Sequence, residues 1–296
     1  MRGSRPLGLL LGLTLALIGL LPAVTSAALP PRALARFTAA ARPATLAASL
    51  AASPGEASSA PIAADADGST YLLWQDSRSP SAMGLFVQKF SAAGVAQWTE
   101  GGVPVSMAYG YEHQWQALPD GLGGVYIVWE DDRTYDSSDQ NIYLQHVLPG
   151  GTVAGPENGV AVCEQPNTQS EPVLVADGFG GALVTWTDRR VGGHTDIYAQ
   201  RFGAACTPLW TVDGVLVCGN AGDQSGPELT SDANGFSIVT WSDARLGELD
   251  LDVYAQRLDS SGVAQWTANG VRVSDRAGDQ ASPVIVSDAA GGATRI

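Results

Sequence analysis

One motif recurs four times along the chain at a nearly constant spacing. Each copy reads Trp-x-Asp-x-Arg and is followed by a polar loop and a segment similar to Asp-Val-Tyr-Ala-Gln-Arg. The spacings are 55, 57 and 55 residues between Trp74, Trp129, Trp186 and Trp241. Self-similarity at such a period is typical of repeat architectures, in which each unit buries its apolar face against its neighbours.

Each repeat predicts four short strands. In the third repeat these are residues 172–177, 182–186, 197–202 and 214–217, with an Asp-Gly turn at 177–181 between the first two. Asp-Gly between apolar runs favours a hairpin because glycine adopts positive φ at little cost. The second strand is apolar on both faces, which predicts cover on both sides, whereas the third alternates and predicts one exposed face.

Short antiparallel strands in units of this size predict an all-β fold, specifically a β-propeller with four four-stranded blades and the start of a fifth in an incomplete ring. A β-sandwich is the alternative, although it would not require one period. The repeats cover residues 61–114, 115–171, 172–226, 227–282 and part of another, 283–296. The fifth tryptophan is expected one place beyond the last residue, so we interpret the sequence as a fragment of a longer protein.

The N-terminal segment has the pattern of a secretory signal peptide. Arg2 and Arg5 precede an uncharged run over residues 7–21, and small residues near 26–28 suit cleavage. We therefore divide the chain into a signal peptide (1–27), a linker rich in alanine and proline (28–58) and the propeller repeats (59–296). An uncleaved anchor is the alternative. The prediction is a secreted or cell-surface protein with no transmembrane segment in the mature chain.

Charge and cysteine content exclude several classes of function. A formal net charge of −14 repels phosphate backbones, so nucleic acid is not an expected partner. Cys163, Cys206 and Cys218 include no Cys-x-x-C pair, and we expect no zinc site. We expect these cysteines to be buried free thiols first, with a disulfide as the second alternative.

The Trp-x-Asp-x-Arg motif is also the first candidate for a site. Residues at i, i+2 and i+4 of a strand project to one side, where the arginine could stack on the tryptophan and pair with the aspartate. The four arginines could together bind carboxylates, or each motif could order its own strand end. We favour the structural role because an enzyme seldom needs four copies of one site. The residues are Trp74, Asp76, Arg78, Trp129, Asp131, Arg133, Trp186, Asp188, Arg190, Trp241, Asp243 and Arg245.

An acidic loop in the second repeat is a candidate calcium site. Asp131, Asp132, Asp136 and Asp139 supply the oxygen ligands that calcium prefers, although no EF-hand loop is present. Solvated turn carboxylates are the alternative, and no other cofactor is expected. Histidines occupy unrelated repeat positions without a nucleophile signature. A pair of carboxylates for glycoside hydrolysis is a further alternative, because the sequence does not give the distances between acidic side chains.

The motifs W-x-D-x-R, D-[IV]-Y-A-Q-R and G-x-x-x-W resemble repeats of large secreted or surface-attached bacterial proteins, over about residues 61–296. The resemblance implies a propeller-like body and an exported protein. More distantly, the layout is similar to sialidase-type and TolB-type propellers. The sialidase Asp-box requires S/T-x-D-x-G-x-x-W, whereas residues 231–235 place the aspartate one position early and Trp241 too far on. Sialidase activity is therefore not expected.

These observations lead to two hypotheses of function. The first is a secreted, non-enzymatic module for binding, adhesion or scaffolding, with an extracellular protein or a glycan as its ligand. It depends on the signal peptide, the repeats and the lack of a unique catalytic constellation. The alternative is a secreted carbohydrate-active enzyme, similar to a glycoside hydrolase, whose site lies in loops of the blades.

Overall fold

The computed structural model describes residues 62–79, 82–133, 139–232, 234–247, 250–274, 276, 278–287 and 293–295. The expected signal peptide and linker lie outside these ranges, as does Asp136. Within them, every regular element is a β-strand. The secondary-structure composition predicted from the repeat pattern is therefore confirmed for the described part of the chain.

Eighteen strands form five antiparallel sheets in chain order. Blade 1 contains β1 (Ile62–Ala64), β2 (Thr70–Ser79), β3 (Ala82–Phe90) and β4 (Val103–Ser106). Blade 2 contains β5 (Glu112–Pro119), β6 (Val125–Asp131), β7 (Asn141–Val147) and β8 (Val160–Cys163). Blade 3 contains β9 (Gln169–Ala176), β10 (Ala182–Asp188), β11 (Asp196–Phe202) and β12 (Val215–Cys218). Blade 4 contains β13 (Gln224–Ser231), β14 (Ser237–Asp243), β15 (Asp252–Leu258) and β16 (Val271–Arg272), and two further strands are β17 (Ile285–Ser287) and β18 (Ala293–Arg295).

The sheets are arranged as propeller blades. Each of the four complete sheets is a meander in which consecutive strands pair, and the fifth is a hairpin. The first strands of the sheets, which we call the inner strands, contact one another in chain order: β1, β5, β9, β13 and β17. This arrangement confirms the predicted β-propeller of four four-stranded blades with the start of a fifth.

The inner strands of blades 2, 3 and 4 begin three residues earlier than the sequence pattern predicts. Strand β9 begins at Gln169, three residues before the expected start, because the Gln169 N–H donates to the Gln140 carbonyl of blade 2 at 2.7 Å. The added residues contain a β-bulge, and Glu171 at the bulge has a φ of 55°. The bulge directs one side chain away from the regular alternation of the strand.

The prediction of an exposed face on the third strand is wrong. Its glutamine is buried in all four blades, at Gln88, Gln145, Gln200 and Gln256. In blade 3, Gln200 donates to the Thr211 carbonyl at 2.6 Å and accepts from the Trp210 N–H at 3.1 Å. The side-chain amide of the glutamine therefore pairs with backbone groups of the turn before the fourth strand. Because these hydrogen bonds satisfy the amide, a polar side chain can be buried there.

The hydrophobic core lies between successive blades. Trp186 packs with Leu144 and Val162 of blade 2, and it is fully buried. The indole edge also abuts Gly214 of its own blade, where a Cβ atom would lie 2.4 Å from the ring. With a φ of 86°, this position requires glycine for both its conformation and its contact. The same glycine occurs at 102, 159 and 270.

The three cysteines are buried free thiols. Burial raises the pKa of each thiol to about 12. Cys163 ends blade 2 and accepts a hydrogen bond from Arg190 of blade 3 at 3.0 Å, and Cys218 contacts Arg245 of blade 4 at 3.3 Å. These two cysteines therefore contribute to packing between blades.

Candidate active site

The structure brings the three side chains of each Trp-x-Asp-x-Arg motif together at the end of the second strand. In blade 2, Asp131 Oδ2 accepts from Trp129 Nε1 at 2.8 Å and from Arg133 Nη2 at 2.6 Å, while Oδ1 accepts from Arg133 Nε at 2.8 Å. Arg133 Nη2 also donates to the Asn158 carbonyl at 3.1 Å. We call this three-residue arrangement the clasp, because it joins the strand end to the turn before β8.

The arginine of the clasp lies over a different ring from the expected one. Its guanidinium covers the aromatic residue of the third strand, at 3.4 Å from the Tyr143 centroid in blade 2, and Tyr143 in turn stacks on Trp129 at 6.1 Å. The equivalent rings in the other blades are Phe86, Tyr198 and Tyr254. Since its donors already face the aspartate and a carbonyl, the geometry favours a structural role over carboxylate binding.

The proposed calcium ligands are only partly brought together. Both carboxylate oxygens of Asp131 belong to the clasp. Asp132 accepts from the Tyr111 N–H and lies near His113. Among the residues that the structure describes, no group of three or more histidine, cysteine, aspartate or glutamate side chains could hold a metal ion. Asp136 lies outside those residues, so calcium binding by this loop stays a prediction.

The residue between the Trp and the Asp of each motif differs from blade to blade. Glu130 occupies this position in blade 2, where the other blades have Gln75, Thr187 and Ser242. Glu130 Oε1 accepts from the Glu171 N–H at 2.7 Å, and Ser242 accepts in the same way from the Ser282 N–H at 3.1 Å. In blades 2 and 4 this residue therefore accepts from a backbone N–H, a task for which the Ser242 hydroxyl suffices and no carboxylate is required.

The Glu130 carboxyl contacts the backbone N–H of Glu171 across blades 2 and 3, and the Glu171 carboxylate in turn reaches blade 4. Glu171 has an exposed side chain, and its Oε2 accepts from Thr187 Oγ1 at 2.8 Å and from the Gly226 N–H at 2.9 Å. Burial holds the pKa of Glu130 above its usual value; the Glu171 carboxylate acts in the same direction, and the Glu171 N–H and His113 oppose it. A carboxyl with a raised pKa beside an exposed carboxylate is the combination used for general acid and base catalysis.

A third glutamate is buried at the junction of blades 1 and 2. Glu112 Oε2 accepts from Gln75 Nε2 at 3.0 Å, and burial raises the pKa of Glu112 to about 7, against hydrogen bonds from Ser106 and Gln75. The other described inner strands have glutamine here, at Gln169 and Gln224. The repeat fold is therefore compatible with an uncharged amide at this position.

Each of the three histidines lies beside an aspartate, a relationship that sequence reasoning missed. His146 Nε2 is 3.0 Å from Asp120 Oδ2, His194 Nε2 is 3.3 Å from Asp196 Oδ1, and His113 Nε2 is 3.7 Å from Asp132 Oδ2. Their repeat positions differ, so no sequence pattern connects them. Glu130 and Glu171 were also missed. Each is a glutamate at a repeat position where the other blades have a different residue, and this difference could have identified them.

Comparison with known proteins adds information on fold. No known protein family and no curated protein matches this sequence. An α-L-arabinofuranosidase from Fusarium graminearum is similar in structure, with a TM-score of 0.47 and 15% identity over 80% of this chain and 72% of that one. An α-L-arabinanase from Penicillium chrysogenum has a TM-score of 0.45 and 14% identity over 78% and 71%. An endo-arabinase from Bacteroides thetaiotaomicron has a TM-score of 0.37 and 16% identity over 79% and 86%.

The leading hypothesis from the sequence, a non-enzymatic module for binding, adhesion or scaffolding, is wrong. It depended on the lack of a unique catalytic constellation, whereas Glu130 with Glu171 and the buried Glu112 depart from the repeat. The solved structures that are similar in fold include an α-L-arabinofuranosidase, an α-L-arabinanase and a family-43 glycoside hydrolase. Among the described residues, no helix is long and apolar enough to cross a membrane.

Proposed function

We propose that this chain is a carbohydrate-active propeller that hydrolyses glycosidic bonds around Glu171, where blades 2, 3 and 4 meet. The observation that carries the proposal is the pair Glu130 and Glu171, two carboxyl groups at positions where the other repeats need none. Their environments differ, because Glu130 is buried and Glu171 is exposed. Two carboxyl groups in different environments are what most glycoside hydrolases use.

In this mechanism Glu130 is the general acid. Burial favours its protonated form, which donates a proton to the glycosidic oxygen as the bond to the anomeric carbon breaks. Glu171 is the carboxylate on the solvent side, and its hydrogen bonds from Thr187 and the Gly226 N–H fix its orientation. It stabilises the positive charge that develops at the anomeric carbon. It then either takes a proton from the water that attacks this carbon, or attacks the carbon itself to form an ester that water hydrolyses with Glu130 now acting as the base.

The test is hydrolysis by the full chain of a panel of chromogenic glycosides and neutral polysaccharides. The panel includes α-L-arabinofuranosides and arabinan, because arabinofuranosidases and arabinanases are among the similar structures. We expect Glu130→Gln and Glu171→Gln each to lower kcat by about 10² or more, since general acid–base groups contribute about 10²–10⁴. Glu100→Gln, at an exposed turn of blade 1, is the matched control and should keep full activity.

Two outcomes would refute the proposal. One is the absence of released sugar from every substrate in the panel. The other is activity that survives both glutamine substitutions at the level of the Glu100→Gln control. Circular dichroism of each variant separates loss of chemistry from loss of fold.

Export of the chain is part of the same proposal. It is supported by the charged and apolar pattern of the N-terminal segment, with Arg2 and Arg5 before the uncharged run 7–21. It is also supported by the resemblance of the repeats to those of secreted or surface-attached bacterial proteins. A hydrolase of polymeric glycans would meet its substrate outside the cell.

A further inference from the structure

Blade 2 has exposed aromatic residues just before its inner strand, which pairs with the strand that carries Glu130. Tyr109 and Tyr111 expose 59% and 52% of their surface, and both precede strand β5. The Tyr111 ring stacks on His113 with centroids 6.2 Å apart and an interplanar angle of 28°. We call Tyr109, Tyr111 and His113 the aromatic platform.

The platform is anchored to the strand that ends at the glutamate pair. The Asp132 N–H donates to the Tyr111 carbonyl at 3.1 Å, and the Asp132 carboxylate accepts in return from the Tyr111 N–H. His113 is the cross-strand partner of Glu130. The backbone contacts therefore hold Tyr111 two residue pairs along the sheet from the proposed general acid.

The repeat fold does not require these aromatic residues. The positions equivalent to Tyr111 are Thr168, Asp223 and Asp279, and those equivalent to His113 are Ser170, Ser225 and Ala281. The same backbone link persists without an aromatic ring, because the Ala244 N–H of blade 4 donates to the Asp223 carbonyl at 2.8 Å. A ring that the fold does not need, and that is exposed to solvent, is a candidate for ligand contact.

We propose that the aromatic platform is a binding subsite for a neutral sugar ring of the substrate. The face of a tyrosine ring is electron-rich and packs against the C–H groups on one face of a sugar. Nearby carboxylates at Asp132 and Glu171, together with the net charge of −14, disfavour acidic saccharides. This inference rests on the proposed function, since it places part of the substrate beside Glu130.

Affinity electrophoresis of the full chain in gels that contain a polysaccharide tests this subsite. The probes are linear arabinan, a soluble cellulose derivative without charge, and polygalacturonate as the acidic comparison. All proteins carry Glu171→Gln, so that hydrolysis does not alter the gel. We expect retardation by a neutral polysaccharide and none by polygalacturonate.

Substitutions assign the binding to the platform. Tyr111→Ala should raise the Kd for the polysaccharide about tenfold, because it removes one aromatic contact with the sugar ring. Tyr111→Phe keeps the ring and should keep most of the affinity. Phe179→Ala is the matched control, because Phe179 is an exposed aromatic residue in the turn between β9 and β10, at the opposite end of the sheets. That variant should bind as its parent does.

The outcomes separate this inference from the proposed function. No retardation by either neutral polysaccharide, or equal losses in Tyr111→Ala and Phe179→Ala, overturns the subsite. If hydrolysis is found and depends on Glu171, but Tyr111→Ala binds normally, the subsite alone fails. If Tyr111→Ala loses binding and no substrate is hydrolysed, the subsite stands and the enzymatic proposal fails.

Discussion

Blades 2 and 3 have the same topology and the same clasp, yet they differ in several buried polar side chains. Their clasp distances agree closely, with Arg133 Nη2 and Arg190 Nη2 each 2.6 Å from the aspartate. The differences are at positions where blade 2 departs from its neighbours. In the order blade 2 then blade 3, they are Glu112 and Gln169, Glu130 and Thr187, Asn141 and Asp196, His146 and Arg201, and Gly155 and Trp210.

Several departures of blade 2 are compensated by a second change nearby. Trp98 and Trp210 each pack on a glycine of the next blade, at Gly151 and Gly262. Blade 2 has Gly155 at the position of this tryptophan. The position that the tryptophan would cover in the next blade holds Cys206 instead of glycine, and the Cys206 Cβ lies against Gly155. The comparison shows that the loss of the tryptophan in blade 2 is accompanied by a larger residue on the facing turn.

His146 replaces a hydrogen bond that the missing tryptophan would have made. Trp210 Nε1 and Arg201 Nη1 both donate to the Ser260 carbonyl, at 3.0 Å and 3.2 Å. In blade 2 the equivalent carbonyl is Ala204, and His146 Nδ1 lies 2.8 Å from it. Because a carbonyl only accepts, Nδ1 carries a proton there. The carbonyl of the turn therefore keeps a donor from the preceding blade.

The largest expected effect tests what the two blades share. Asp188→Ala should lower the free energy of unfolding by about 3–5 kcal/mol, because it leaves Arg190 and the Trp186 N–H without their buried partner. Asp131→Ala should have the same effect in blade 2. Urea denaturation measures both, with Asp188→Asn as a milder variant that keeps an acceptor. A loss below about 1 kcal/mol in either blade would contradict a structural clasp.

A second effect tests where the blades differ. The pKa of Glu112 is raised to about 7, so its contribution to stability is full below the unfolded pKa near 4.5 and is lost as the pH rises through about 7. The loss amounts to at most about 3 kcal/mol. Glu112→Gln, which copies Gln169, should be more stable than the parent at pH 8 and similar at pH 4. Thermal unfolding across this pH range is the measurement, and equal pH dependence in both proteins would refute it.

The smallest expected effect tests compensation between blades. Gly155→Trp should destabilise the protein by about 1–3 kcal/mol, because the new side chain meets Cys206. The double variant with Cys206→Gly reproduces the Trp210 and Gly262 arrangement and should recover most of that loss. Cys206→Gly alone opens space but relieves a φ of 56°. Strictly additive effects in this double-mutant cycle would show that the two positions are independent.

Much of the fold could be predicted from the sequence because the repeat constrains it. Four copies of one pattern indicate four equivalent sheets, and Trp129, Trp186 and Trp241 mark the same buried position in each. The burial of Gln200 could not be predicted from alternation, because its partner is a backbone N–H ten residues away. The bulge at Glu171 was missed because the acceptor of its backbone N–H is the Glu130 side chain of another blade.

The sequence by itself determined the class of fold, the blade count within this chain and the residues of each clasp. A period and a hydrophobic pattern are local properties, so they can be observed without coordinates. Only the tertiary structure decided that the Glu130 carboxyl meets the Glu171 N–H, 41 positions away in the sequence, across two blades, and that Tyr111 lies two residue pairs along the sheet from Glu130. Burial, which sets the pKa of Glu112 and Glu130, is a property of packing between blades and has no counterpart in the order of residues.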